Sequence, residues 1–192
     1  SVLQSLARKT GDWQPVIQHL EVSFEETKNP EFLFECCKLK AQLNDWPYIA
    51  DRAKQLVTEI GTTEALRLTA IAAYNDKRYA LCYQLLNDYG DFFKQRKLSG
   101  QLRRIKALCL FNLGFMQKAV MEAEELAHED PTTENLLALV NLYYTEGDLK
   151  RLTILARQLA NRSDLSKESL LYIAQQIYLD DPELAKLLWR KA

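Results

Sequence analysis

The chain has 192 residues, 47% of them hydrophobic, with only 6 Gly and 5 Pro. That supplies a buried core but too few turn formers for an all-β domain, so an all-α fold is expected. Lys and Arg number 25 against 26 Asp and Glu, spread evenly over both halves. This balance excludes a chain-wide attraction for nucleic acid or anionic lipid, and no apolar run approaches the ~20 residues of a membrane helix.

Helices are predicted in pairs. The first break is "TGDWQPVI", where small and polar residues precede Trp13, which opens the next helix. "TKNPE" then ends that helix at Asn29-Pro30, and "LNDWPYIA" makes the second tight break before Trp46. "IGTTE" stops a helix at Gly61 and offers Thr62 and Thr63 as caps for the next. The third tight break, "YNDKRYAL", precedes Tyr79, and "DYGDFFKQRKLSG" over Asp88 to Gly100 predicts a longer helix or loop. Further on, "NLGFMQKA" breaks before Met116, "HEDPTTE" stops at Asp130-Pro131 and offers Thr132 and Thr133, and "TEGDLKRL" breaks before Leu149. "SDLSKE" offers Ser166, and "LDDPELAK" makes the last break, before Leu184 and with Pro182 in the turn.

The residues that open the second helices, from Trp13 to Leu184, are separated by steps of 33, 33, 37, 33 and 35. A near-constant period of this length marks a repeat architecture, each unit being helix, tight turn, helix and linker. So short a unit cannot bury its apolar face alone and must stack on its neighbours.

The unit resembles the tetratricopeptide repeat. "GQLRRIKALCLFNLGFMQKAVMEAEELAHEDPTT", Gly100 to Thr133, carries that family's small residues at Ala107, Gly114, Ala119 and Ala123 and its closing Pro at Pro131; Glu134 to Ser166 adds Tyr143 and the turn in "NLYYTEGD". Elsewhere the pattern is degenerate. Lys77-Arg78 replaces Gly-Asp in the third copy, and no copy has the early Trp. The resemblance implies a right-handed superhelical solenoid of antiparallel helix hairpins, about five and a half repeats in one domain over residues 1–192, with the first helix of each pair lining a concave groove. The chain opens at Ser1 inside a predicted helix, so it is expected to be a fragment of a longer protein.

Counting back from each turn, the groove positions implied are Phe34, Arg67, Arg104, Leu137 and Tyr172; then Lys38, Ile71, Leu108, Asn141 and Gln176; then Ala41, Tyr74, Phe111, Tyr144 and Leu179. Ala73, Leu110 and Tyr143 are the adjoining core candidates. The candidate site is therefore Arg67, Tyr74, Arg104, Leu108, Phe111, Asn141 and Tyr144, an aromatic ladder beside a basic pair that suits a peptide or helix with acidic and apolar side chains. The family's Lys, Asn and Arg clamp for a chaperone tail is matched only by Asn141, so a different ligand is expected.

No motif for catalysis is present. His19 and His128 lack metal-ligand spacing, and there is no phosphate loop, nucleophile elbow or HExxH; no enzymatic role, metal or cofactor is expected. Cys36, Cys37, Cys82 and Cys109 match neither a zinc site nor a disulfide framework, which points to buried free thiols in a reducing, cytoplasmic compartment. Two charge runs stand out, a basic one holding Lys94, Arg96, Lys97, Arg103, Arg104 and Lys106, and an acidic one from Glu122 to Glu134.

An interaction scaffold is the expected function. A regulatory or ligand-sensing segment of a larger protein is the alternative, and RNA binding through residues 94–106 a weaker one, since the acidic run and neutral total oppose it. Leu187, Leu188 and Trp189 in the last helix point to further repeats or self-association.

Overall fold

In a computed structural model of the chain, residues 2–90 and 98–192 are described. Their regular structure is all helix, with no strand among them, and they divide into two compact units, residues 1–98 and 99–192.

The first unit holds three hairpins: α1 (Val2–Thr10) with α2 (Gln14–Thr27), α3 (Pro30–Gln42) with α4 (Trp46–Asp51) and α5 (Ala53–Ile60), and α6 (Thr63–Asn75) with α7 (Tyr79–Gly90). The helices α4 and α5 are one second helix interrupted at Arg52, whose guanidinium lies 3.6 Å from the Tyr48 ring centre and donates to the Tyr48 carbonyl. The second unit repeats the plan with α8 (Gly100–Asn112) and α9 (Met116–Glu129), α10 (Thr133–Glu146) and α11 (Leu149–Ala160), and α12 (Lys167–Ile177) and α13 (Pro182–Lys191). The longer helix or loop expected between Asp88 and Gly100 falls largely on residues 91–97, outside the described residues.

The tight breaks share one mechanism. Gly11, Asn44, Lys77, Gly114 and Gly147 occupy equivalent turn positions, and all have φ between 57° and 86°. After four of them the next amide reaches back to the helix: Asp45 to the Lys40 carbonyl, Arg78 to Ala73, Phe115 to Leu110 and Asp148 to Tyr143. This is the six-to-one closure of a helix C-terminus, which satisfies orphan carbonyls while reversing the chain. The third copy, which lost its Gly-Asp pair, keeps the turn by forcing Lys77 into the left-handed region.

Side-chain caps open the next helices. Asn29, Thr62, Ser99, Thr132 and Ser166 each accept from a backbone N–H in the first turn of α3, α6, α8, α10 and α12. Thr63 and Thr133 lie inside their helices instead, as first residues. The last helix begins at Pro182, not Leu184, because Asp181 caps it and Pro182 takes the position where a missing N–H costs nothing. Measured from Leu149 to Pro182, the final step returns to 33 residues.

Each unit has its own core. In the first, Leu33, Phe34, Cys37, Ile49, Leu56, Ala65 and Ala72 cluster across α3, α4, α5 and α6. The second buries Leu139, Val140, Leu142, Leu152, Ala156, Leu159, Ile173 and Leu188, each large aliphatic contributing roughly 1.5–3 kcal/mol by leaving water. Neighbouring hairpins are also tied by bonds between residues 31 apart in sequence: Thr58 to Tyr89 at 3.0 Å in the first unit, and in the second Arg104 to Asn135 at 2.8 Å, Arg162 to the Pro131 carbonyl at 2.9 Å and Tyr172 to Asn141 at 3.3 Å. The recurrence of one separation, just under the repeat period, shows that equivalent surfaces of successive hairpins meet.

Candidate interaction surfaces

The caps fix the register of the first helices, because Asn29, Thr62, Ser99, Thr132 and Ser166 are equivalent. Five, nine and twelve residues beyond each cap lies a stripe on one face of the helix. In the first unit it carries Lys38 and Ala41 on α3 and Arg67, Ile71 and Tyr74 on α6. Arg67 is exposed and makes no ion pair with a described residue; Ile71 and Tyr74 are half-buried. The Tyr74 ring sits edge-on to Tyr79 at 5.6 Å, bracing it against the turn of its own hairpin.

Phe34, expected in the groove, is buried in the core. Ala65 and Ala72 on the adjoining α6 are small enough to leave room for its ring, and the Lys38 ammonium covers it at 4.8 Å.

In the second unit α8 packs on α10, and α10 on α12. Their stripe reads Arg104, Leu108 and Phe111, then Leu137, Asn141 and Tyr144, then Leu171, Gln175 and Tyr178. The expected Tyr172, Gln176 and Leu179 lie one residue beyond this stripe, because α13 starts two residues before Leu184 and the span from the Ser166 cap to that start is one residue shorter than its equivalents. Arg104, Leu108, Phe111, Leu137 and Asn141 are half-buried, while Tyr144 is 49% exposed. The adjoining Ala73, Leu110 and Tyr143 are buried. The candidate residues thus fall into two groups, Arg67 and Tyr74 in the first unit and Arg104, Leu108, Phe111, Asn141 and Tyr144 in the second.

Two polar side chains of the stripe are committed. Arg104 Nη1 donates to Oδ1 of Asn135, a buried residue whose Nδ2 donates in turn to the Asp130 carbonyl at 2.8 Å and carboxylate at 3.2 Å. Asn141 Oδ1 accepts from the Tyr172 hydroxyl, so α12 is hooked onto α10. The remaining guanidinium N–H groups of Arg104 and the amide N–H groups of Asn141 are not used in these bonds.

The described part of the basic run faces the acidic run across the α8–α9 hairpin. Arg103 reaches Glu129 at 2.7 Å and Glu125 at 3.9 Å, and Lys106 reaches Glu122 at 3.5 Å. A phosphate would have to displace these carboxylates. Lys94, Arg96 and Lys97 lie outside the described residues.

His19 and His128 are exposed, and among the described residues no group of three His, Cys, Asp or Glu is placed to hold a metal ion. The four cysteines are buried and free. Burial, with the Cys36 thiol alongside, pushes the Cys37 thiol up to about 12, and burial likewise raises Cys36, whose sulfur lies 3.5 Å from the Tyr48 hydroxyl. No described helix is long and apolar enough to cross a membrane. At the last hairpin Leu188 is buried, whereas Leu187 and Trp189 are exposed, with Trp189 tilted against Tyr178 at 5.2 Å.

One feature was missed by sequence reasoning. On the opposite side of the second unit, α9 and α11 stand apart over α10 and enclose a cleft of about 620 Å³. At one end Arg151 donates to Glu124 at 2.6 Å, Glu146 at 2.9 Å and Asp148 at 2.7 Å, and the Tyr143 hydroxyl donates to the same Glu124 oxygen at 2.7 Å. Hydrogen bonding to Asp148 and Glu124 holds the guanidinium firmly protonated. Spacing could not reveal the cleft, since Glu124 and Arg151 are 27 residues apart and belong to different repeats.

No protein-family model matches the sequence, and no curated protein does. Among solved structures, the chain is similar to a tetratricopeptide repeat protein from Parabacteroides merdae ATCC 43184, with a TM-score of 0.66 and 15% identity over 97% of this chain and 73% of that one. It is also similar to YrrB, described as a TPR protein with an unusual peptide-binding site, with a TM-score of 0.61 and 12% identity over 90% of this chain and 89% of that one. The chain therefore has the tetratricopeptide-repeat fold, with repeats divergent in sequence.

Proposed function

We propose that this protein is a non-enzymatic interaction scaffold that holds a partner's extended peptide or helix against its first-helix faces. The observation that carries the reading is the stripe on α8 and α10. Leu108, Phe111, Leu137 and Tyr144 are apolar or aromatic side chains left partly open to solvent beside a fully formed core, with Arg104 and Asn141 fixed among them. Apolar contact with two anchored donors suits a segment mixing apolar and acidic side chains. Arg67, exposed and without an ion pair to a described residue, carries the same preference in the first unit. The description of YrrB as peptide-binding supports a peptide as the kind of ligand, and the pairing of Arg103 and Lys106 with acids disfavours RNA.

The test is affinity selection of peptides on the wild-type chain, followed by titration against an Arg67→Glu/Tyr144→Ser variant. Both side chains are exposed, so the variant is expected to fold as wild type by circular dichroism. Selected peptides are expected to be rich in Asp or Glu with Leu or aromatic residues and to lose affinity for the variant. Unchanged affinity in a folded variant would remove the site from these faces.

A further inference from the structure

We propose that the cleft between α9 and α11 is a second docking site, taking an amphipathic helix of a partner protein whose apolar stripe ends in basic residues. Its volume falls within the roughly 300–1,000 Å³ of pockets that accept ligands. The floor is apolar, built from Leu136 and Leu139 on α10 with Leu155 and Leu159 on the α11 wall.

Length distinguishes a helix from a small molecule as the occupant. Apolar surface does not stop at the cavity: Ile154, on its rim, is 51% exposed, and Met121, one turn before Glu124 on α9, is 67% exposed. A 14-residue helix such as α9 is about 21 Å long, so this wall offers several turns to a partner helix anchored at i, i+3 and i+7. An exposed Met beside an apolar cleft is an adaptable contact for such a face.

Charge sets the polarity of the occupant. Three carboxylates, Glu124, Glu146 and Asp148, converge on the single guanidinium of Arg151, so acid stays in excess even with Lys150 counted. Arg162, at the other end, is already matched by Asp164 and by the Pro131 carbonyl. The His128 and Gln158 side chains there have no described hydrogen-bond partner and can meet the polar end of a helix. A Lys or Arg on the incoming helix therefore belongs at the Glu124 end.

The probe is a displayed library of 20-residue helical peptides with a fixed apolar stripe and randomised flanking positions, panned against the full chain. Selected peptides are titrated into isotope-labelled protein. The expected winners carry Lys or Arg at one end, shift amides of α9, α10 and α11, weaken with salt, and lose about tenfold in affinity on Ile154→Asp. Met121→Ser, also at an exposed position and adding no charge at the acidic end, is expected to act in the same direction and guards against a folding artefact in the first variant. Winners that map to α8 and α12, that carry acidic ends, or that bind Ile154→Asp and Met121→Ser as tightly as wild type would overturn the proposal. So would the absence of any selected helix, or a cleft that takes only small molecules.

Discussion

Arg104 on α8 donates a hydrogen bond of 2.8 Å to the buried Oδ1 of Asn135 on α10. Through Asn135 Nδ2 the bond continues to Asp130, so one amide joins two hairpins and the linker between them. A buried amide with its partners in place is worth far more than an exposed one, because removal strands the groups around it. Asn135→Leu is expected to lower stability by about 1–3 kcal/mol in urea unfolding, whereas Asn141→Leu, at a half-exposed position, changes it much less. Equal losses would show that Asn135 is not a junction.

Lys77 is a lysine where the equivalent turns of three other repeats hold Gly, and its φ is 58°. The left-handed region costs a side-chain-bearing residue roughly 1–2 kcal/mol, partly offset in a Gly substitution by the greater entropy of the unfolded chain. Lys77→Gly is therefore expected to stabilise by about 0.5–1 kcal/mol, seen as a rise of about 2 °C in the melting temperature. Asn44→Gly should gain less, since Asn tolerates this region.

The caps separate threonines that sequence alone treats as equals. Thr62 and Thr132 accept from the Ala65 and Asn135 amides, while Thr63 is the first residue of α6. Replacing Thr62 or Thr132 by Ala is expected to cost about 1 kcal/mol each, and Thr63→Ala nothing measurable. Thermal melts of the three variants check this directly.

The thiols give a pH dependence with a definite sign. Burial holds the Cys37 thiol up to about 12, above its ordinary value of 9.0. Between these values the unfolded chain loses the proton and the folded chain keeps it, so the unfolded state is favoured. Stability from this group is intact below about pH 9 and falls as the pH rises toward 12. In native protein at neutral pH all four cysteines should resist alkylation, and all four should react in denaturant. Rapid native labelling of Cys37 would contradict its burial.

The hairpins were legible because each break spends Gly, Asn, Pro or a hydroxyl residue where the backbone requires one, and those demands recur with the period. What failed was local. Pro182 reads as a turn residue but starts α13, since Pro suits both places, and the span from the Ser166 cap to it is one residue shorter than its equivalents; together the two shift the groove positions on α12 by one. Thr62 and Thr63 are chemically alike, and only geometry selects the cap. Phe34 shares its register with Arg67 and Arg104 yet is buried, in a cluster with Ala65 and Ala72 of the next hairpin, whose distance in sequence hides the contact from a local reading. For the candidate site the stripe was readable from the period, whereas the Arg104–Asn135 bond and the α9–α11 cleft join residues a repeat apart and left no local signal.

The most direct measurement for the scaffold reading is an amide-shift map of the labelled chain, titrated with the tightest acidic, apolar peptide that selection yields. Shifts are expected to concentrate on α8 and α10, at Leu108, Phe111, Asn141 and Tyr144, and to vanish with Tyr144→Ser at the same peptide concentration. A map confined to other surfaces, or one unchanged by that substitution, would contradict peptide binding on the first-helix faces.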